Sequence, residues 1–143
     1  MNKGENTEVK EYLTKHGIKP TLIRVKTLEY LCNTKEHPDV ETIYNELSKL
    51  IPTLSITSVY NTLNLFVKKC IILEIKIEGL QSRYDGFVER HAHFKCIKCD
   101  RLFDLNLNCK LDVTLINVGK IIEEHIYIIG ICKDCYKKRR RVL

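Results

Sequence analysis

Two Cys-x-x-Cys pairs constrain this chain more than any other feature of its sequence. Cys96 and Cys99 form the first pair, and Cys132 and Cys135 form the second. In each pair the two thiolates can converge from one tight turn, and the two pairs together supply the tetrahedral four-thiolate set of structural Zn²⁺. The spacing therefore predicts one structural zinc ion, held by a fold that brings the second pair back to the first.

The composition supports metal binding by the cysteines. The chain has 143 residues, 7 of them Cys, with 44% hydrophobic and 29% charged residues. Its start is polar and lacks the core of a signal peptide, and no apolar run has the length of a membrane span. We therefore expect a cytoplasmic protein with no membrane partner. In that reducing compartment, clustered cysteines bind metals more often than they form disulfides.

The first half of the chain is typical of short helices followed by a hairpin. Helices are predicted over residues 6–16 and 20–33, from Asp39 to Pro52, and from Ser55 or Thr57 to residue 70. Their apolar stripes include Cys32, Leu50 and Cys70, so these side chains are expected in the core. Alternation over 72–79 and a return over 81–86 predict two strands. This order predicts a winged helix-turn-helix.

The second half is rich in predicted strands. HAHFKCIKC, RLFDLNL and KIIEEHIYIIGIC are interpreted as strands, residues 110–118 as a short helix, and the terminal KKRRR as a solvated, frayed end. The predicted fold class is α+β. A winged-helix DNA-binding domain covers residues 1–84, a hinge covers 85–90, and a small α/β dimerisation domain with the zinc site covers 91–143. So short a second domain predicts a thin core, stabilised by a metal ion, a dimer interface or both.

The predicted fourth helix carries a polar stripe on its outer face. Such a stripe can read base edges and phosphates in a major groove, although most amphipathic helices have a solvated face. A basic cluster with no acid between positions 15 and 26 could bind flanking phosphates. The net charge of +6 is weak evidence for DNA, because most of it lies in the second half. The candidate contacts to double-stranded DNA are Lys15, Lys19, Arg24, Thr57, Tyr60, Asn61, Asn64 and Lys68.

Residues with nitrogen and oxygen ligand atoms form a second group of candidate metal ligands, which the four-cysteine zinc site does not need. His91 and His93 are two residues apart on a predicted strand, so they face the same way and can bind one metal ion together with Asp104. His37 precedes a Pro and Asp85 precedes a Gly. A His before Pro is usually an exposed loop residue, and an Asp before Gly is usually a turn residue. The residues alone therefore leave open whether His37 and Asp85 are metal ligands.

The chain resembles the ferric uptake regulator family over nearly its whole length. The resemblance is carried by GIKPTLIRVKTLEYL, HPDVETIY, SITSVYNTLNLF, HAHFKCIKC and ICKDC. Asp104 stands where iron-sensing relatives usually have Glu, and Asn61 where they usually have Arg, so the chain is most similar to the peroxide-responsive repressors. The resemblance implies a homodimer whose interface is the second half. It also implies one regulatory metal site per subunit, formed by His37, Asp85, His91, His93 and Asp104.

The sequence also departs from the family pattern. Arg90-His91-Ala92-His93 stands where many relatives carry a His-His-Asp-His run, so an additional metal site lacks two of its ligands. His125 matches a ligand of that site, and we interpret it as structural or vestigial. Ile23 replaces a usual Gln, which puts one backbone or DNA contact in doubt.

The resemblance implies a metal-dependent transcriptional repressor and not an enzyme. Three imidazoles and two carboxylates suit Fe²⁺ or Mn²⁺ without deciding between them. Hydrogen peroxide would be sensed by iron-catalysed oxidation of His37 and His91, with release from a palindromic operator on oxidation or metal loss. An iron- or manganese-responsive repressor of metal-uptake genes is the alternative. A metalloenzyme would need a separate acid/base pair beside the site, and a protein-binding zinc scaffold leaves the His/Asp group unexplained.

Overall fold

In the computed structural model of the chain, the described residues are 3–77, 79–89, 91–106, 117, 119–122 and 124–140. The chain divides into two compact units, Met1–Val88 and Glu89–Leu143. Apart from position 117, the helix predicted over residues 110–118 lies outside the described part of the chain. Across the described ranges, no helix combines the length and the apolar character needed to cross a bilayer.

The first unit begins with four helices whose ends follow from local sequence signals. They are α1 (Lys3–Lys15), α2 (Leu22–Asn33), α3 (Val40–Ser48) and α4 (Ile56–Lys68). Gly17, at φ +70°, turns the chain after α1. The side chain of Asp39 caps α3 by accepting from the Thr42 N–H at 2.8 Å. Ser55, and not Thr57, caps α4 by accepting from the Ser58 N–H at 3.2 Å.

The four helices bury one apolar core. Its completely buried members come from all four helices and include Leu13, Leu31, Ile43, Leu63 and Phe66. Helices α2, α3 and α4 all contact one another and α1 contacts α2, so the four helices together shield one apolar core from water.

Three residues predicted in this core are exposed, and each has a local reason. Leu50 is 61% exposed because α3 ends at Ser48 and the chain turns before Pro52. Cys70 is exposed because it follows the end of α4 at φ +56°, which rotates its side chain off the inner face of the helix. Cys32 is exposed because it lies at the edge of the buried stripe of α2, next to the buried Leu31.

A short hairpin completes the first unit. Strand β1 (Leu73–Ile75) pairs antiparallel with β2 (Arg83–Asp85), and Leu73 lies opposite Asp85. Directly after β2, the backbone at Gly86 packs against α2 so closely that a Cβ there would lie 2.7 Å from the Leu31 carbonyl oxygen. Helices followed by this hairpin form the predicted winged helix.

In its described residues, the second unit contains a three-stranded mixed sheet and one helix. Strand β3 (Ala92–Cys96) is central, with β4 (Leu102–Leu105) antiparallel on one side and β5 (Tyr127–Gly130) parallel on the other. The strand predicted over residues 120–132 is therefore too long. The pairing opposes Tyr127 to His93, so the residues before β5 lie beyond the start of β3. The fold class is the predicted α+β.

The C-terminal segment is also more ordered than predicted. Residues 137–140, which were expected to fray, belong to α5 (Lys133–Arg140), and position 141 lies outside the described residues. Asp134 lies in its first turn, where a carboxylate interacts favourably with the N-terminal end of the helix dipole. The Tyr136 N–H also bonds to the Cys132 carbonyl oxygen at 2.9 Å, which ties the first turn to the preceding residue.

Candidate metal centres

The four cysteines of the two pairs come together within the second unit. Cys96 ends β3 and Cys99 lies in the turn that follows, while Cys132 precedes α5 and Cys135 lies within it. Their Sγ atoms all lie within 4.8 Å of one another. The sulfurs of Cys99 and Cys132 are 3.8 Å apart. The fold therefore brings the four sulfurs to one place.

Hydrogen bonds and charge show that this sulfur set suits a divalent cation. The N–H groups of Cys132 and Lys98 donate to the Cys96 Sγ at 3.3 and 3.4 Å. Donation from the Cys132 backbone lowers the pKa of Cys96 to about 6. The pKa of Cys135 is raised to about 12, first by its bond with the Cys132 side chain. Four adjacent thiols cannot all ionise without a nearby positive charge, because four thiolates repel one another. Zn²⁺ supplies that positive charge. The residues present therefore fit a structural zinc ion.

Two cations that were not predicted as functional residues support the first Cys pair. Lys95 is only 4% exposed and donates to the Asp100 carbonyl oxygen at 2.6 Å. This bond holds Asp100 at φ +64°, a left-handed conformation that closes the turn. Arg101 donates to the Cys99 Sγ at 3.4 Å. The sequence signal that could have indicated these two residues is a basic residue next to a Cys-x-x-Cys pair.

The second unit also gathers three nitrogen and oxygen ligands. His93 on β3 is the cross-strand partner of Asp104 on β4, and its Nε2 lies 3.5 Å from Oδ1 of that carboxylate. Nε2 of His91, just before β3, lies 3.2 Å from the same oxygen. The His91 Nδ1 is 2.6 Å from the Glu89 carbonyl oxygen, a bond that orients the ring. Two imidazole Nε2 atoms and a carboxylate thus converge.

The first unit holds the other two candidate ligands together. His37 and Asp85 are 3% and 4% exposed, and Nε2 of the His lies 3.4 Å from Oδ2 of the Asp. His37 has φ +50°, an unfavourable backbone conformation for a residue with a Cβ. Arg83 donates to its carbonyl oxygen and, at 3.1 Å, to that of Glu36. No local pattern predicts this pairing, because β2 reaches the loop from far along the chain.

The candidate DNA contacts lie on the surface of the first unit. Tyr60, on α4, is 43% exposed. The Arg24 guanidinium donates to the Lys19 carbonyl oxygen at 3.0 Å and is only half-exposed, which restricts how far it can reach. The exposed candidates are Lys15, Lys19, Thr57, Tyr60, Asn61, Asn64 and Lys68.

A winged-helix unit, a sheet unit with a four-thiolate site, and His/Asp ligands together define a metal-dependent DNA-binding regulator. Residues 15–127 match the sequence profile of the Ferric uptake regulator family. The chain belongs to this family, whose members are transcriptional regulators and not enzymes.

Individual relatives agree with this assignment. The chain is 30% identical over 138 residues to the peroxide operon regulator of Bacillus subtilis, covering 94% of this chain and 95% of that protein. Its fold is similar to that of the Helicobacter pylori ferric uptake regulator, with a TM-score of 0.68 at 22% identity, covering 93% and 92% of the two chains. The peroxide sensor PerR from Streptococcus pyogenes matches with a TM-score of 0.52 at 28% identity, covering 92% of each chain.

Proposed function

We propose that this protein is a peroxide-responsive repressor with one regulatory Fe²⁺ or Mn²⁺ ion per subunit. Its ligands would be His37, Asp85, His91, His93 and Asp104. The observation that carries the proposal is the separation of ligand types: the four thiols converge at one place, while imidazoles and carboxylates pair elsewhere within each unit. Imidazole and carboxylate ligands suit Fe²⁺ and Mn²⁺, whereas the thiolates suit Zn²⁺. The similarity to the Bacillus subtilis peroxide operon regulator supports the same conclusion.

The proposed sensing groups are the imidazoles of His37 and His91. Bound Fe²⁺ would supply the electron that starts cleavage of the peroxide O–O bond. In the overall change, one peroxide oxygen is inserted into a ring C–H bond and the other leaves as water. The ring loses the two electrons that peroxide gains. An oxidised ring is a poorer ligand, so the His/Asp set would lose its ion.

The zinc thiolates are the competing target, since cysteine oxidation is the commoner redox switch. Their sulfurs would be shared with Zn²⁺, which lowers their reactivity as nucleophiles. We therefore expect the zinc site to survive low peroxide concentrations that oxidise the imidazoles.

The output of sensing would be release of DNA. His37 and Asp85 belong to the first unit, and the other three ligands to the second, so an ion held by all five would couple the two units. We propose a homodimer formed by the second unit, where Ile122 and Ile129 are 95% and 62% exposed. Its two α4 helices would then match the half-sites of a palindromic operator. The coupling is reciprocal, so operator DNA should tighten metal binding.

The decisive experiment compares iron-loaded and manganese-loaded protein. A palindromic duplex, selected from a random pool with the manganese form, serves as the DNA probe. Each form is treated with low peroxide, DNA binding is measured by fluorescence anisotropy, and peptides are mapped by mass spectrometry. We expect the iron form to release DNA, keep its zinc and gain one oxygen atom on the His37 or His91 peptide. The manganese form should resist, because Mn²⁺ is the weaker reductant.

Other outcomes would decide against the mechanism. Zinc release with oxidised Cys96 or Cys99 and intact imidazoles would replace it with a thiol switch. Equal peroxide sensitivity of the two metal forms would exclude iron-dependent chemistry. Metal-dependent DNA binding that ignores peroxide would favour the alternative, a repressor of metal-uptake genes. Asp104→Ala is the control that should retain zinc and lose activation by Fe²⁺ and Mn²⁺.

A further inference from the structure

One guanidinium contacts both halves of the zinc site. Arg101 donates from Nε to the Cys99 Sγ at 3.4 Å and from Nη2 to the Cys132 Sγ at 3.8 Å. The same Nη2 donates to Asp134 Oδ2 at 3.0 Å, on α5. We propose that Arg101 is a positioning residue of the zinc centre, an outer cation that holds the two Cys pairs together and slows both loss of zinc and oxidation of the sulfurs.

Several contacts hold Arg101 in this place. Its carbonyl oxygen accepts from the Cys96 N–H at 3.0 Å, so the backbone is tied to the first Cys pair. Its guanidinium carbon lies 5.2 Å from the centre of the Phe103 ring, a cation–π contact. The turn before it is closed by Lys95, which contacts Asp100. The guanidinium is thus preorganised beside the sulfurs.

Charge explains what this arrangement achieves. Four thiolates carry more negative charge than one Zn²⁺ neutralises, so a loaded site has an excess of negative charge on sulfur. Arg101 is always protonated, and its planar fork can donate to several acceptors at once. Charge-assisted hydrogen bonds withdraw electron density from the sulfurs that accept them. Cys99 and Cys132 come from different pairs, so the same bonds also oppose separation of the two pairs.

The oxidation that Arg101 would slow is a nucleophilic substitution on hydrogen peroxide. A sulfur lone pair attacks one peroxide oxygen, an S–O bond forms, the O–O bond breaks and hydroxide leaves. A second thiolate then attacks the oxidised sulfur, expels hydroxide and forms a disulfide, so Zn²⁺ loses two ligands. Hydrogen bonds from Arg101 lower the nucleophilicity of sulfur in the first step.

Lys98 provides a matched control within the same turn. It carries the same charge between Cys96 and Cys99, but its side chain is exposed and the contact to sulfur comes from its backbone N–H. Lys98→Ala therefore removes one positive charge near the site and keeps that hydrogen bond. Arg101→Ala removes the charge together with the contacts to Cys99 and Cys132.

The experiment uses the full-length zinc-loaded protein without iron or manganese. Two rates are measured: zinc transfer to a chromogenic chelator, and zinc release by hydrogen peroxide. Loss of a group that supports metal ligands typically costs about 10–100-fold in metal affinity, so Arg101→Ala should raise both rates by about tenfold or more. Lys98→Ala should stay within about twofold of the parent, since the bond from residue 98 to the Cys96 sulfur comes from the backbone and is kept. Equal rates for the two variants would overturn the proposal.

Two further variants separate charge from packing. Arg101→Met keeps an aliphatic stem over Phe103 and should behave like Arg101→Ala, whereas Arg101→Lys keeps the charge and should rescue part of the effect. Parent-like rates in Arg101→Met would show that packing alone matters and would overturn the proposal. If Arg101→Ala does not fold, as judged by circular dichroism, the comparison of Arg101→Lys with Arg101→Met decides. The proposal rests on the zinc site and not on peroxide sensing by imidazoles, so the two can fail separately.

Discussion

The two units of this chain are stabilised in different ways. In Met1–Val88 the core contains many buried aliphatic and aromatic side chains, among them Phe66 and Leu63 at 0% exposure. In the described part of Glu89–Leu143, the buried hydrophobic residues are Ala92, Cys96, Leu102 and Cys132. Half of that second group consists of candidate zinc ligands. Because the described part of this unit buries so few apolar side chains, we expect a bound metal ion to contribute strongly to its stability.

Removing one zinc ligand should have the largest effect and should separate the two units most clearly. Cys96→Ser leaves an incomplete shell around a buried ion, and much of the roughly 10–16 kcal/mol of structural zinc binding is coupled to folding. We expect loss of zinc and of the β3–β5 sheet, while α1–α4 remain folded. Zinc content, amide chemical shifts and size-exclusion chromatography would measure this. A stable zinc-free dimer that still binds DNA would contradict it.

The corresponding test of the first unit is Leu63→Ala. Leu63 is 0% exposed, so truncation leaves a cavity and should lower the free energy of unfolding by about 2–5 kcal/mol. Urea denaturation measures this loss, and zinc content should not change. Leu50→Ala is the control, because Leu50 is 61% exposed; its effect should stay within about 0.5 kcal/mol. Comparable effects at the two positions would show that the apolar core is not what stabilises this unit.

A smaller effect is expected on the outer face of α4, where stability should not change. If Asn61 reads a base edge, Asn61→Ala should lose about 1–3 kcal/mol of discrimination between the selected duplex and a scrambled one. Lys68→Ala should instead weaken binding to both duplexes and reduce its salt dependence. Binding titrations at several salt concentrations measure both. Unchanged preference in Asn61→Ala would remove that residue from sequence readout.

The smallest expected effect concerns a helix cap in the first unit. Asp39→Ala removes the acceptor for the Thr42 N–H and should cost about 1 kcal/mol, without altering zinc retention in the second unit. Asp39→Asn keeps an acceptor at the same place and should cost less. Thermal unfolding of both variants gives the comparison. Equal losses would mean that the charge, and not the hydrogen bond, stabilises α3.

Local signals explain how much of the fold could be predicted. Asp39 and Ser55 cap helices where expected, because a cap acts within three residues of itself. The predicted burial of Leu50 and Cys70 is wrong because a periodic pattern does not show where a helix stops. The predicted burial of Cys32 is wrong because this residue lies at the edge of the buried stripe of α2.

Whether a candidate site could be predicted also depends on whether its residues are close together in the sequence. The spacing of the four cysteines is short-range within each pair, and it indicates their ligand role directly. The approach of Asp85 to His37 depends on the distant pairing of β2 with a loop, which no periodicity encodes. The contact of Arg101 with Cys132 likewise depends on where β5 returns the chain. Such contacts are properties of the folded topology and not of any segment.

The contacts between β2 and the loop that contains His37 affect hydrogen exchange at the Tyr84 amide. Residues 83–85 of β2 contact residues 36–38 of the loop. From the middle of these three strand residues, the Tyr84 N–H donates to the Pro38 carbonyl oxygen at 2.9 Å. The Tyr84 amide can exchange with deuterated water only when the loop leaves the strand. Its exchange rate therefore reports how often the loop detaches, and Arg83→Ala should raise that rate while leaving amides in the middle of α4 unchanged.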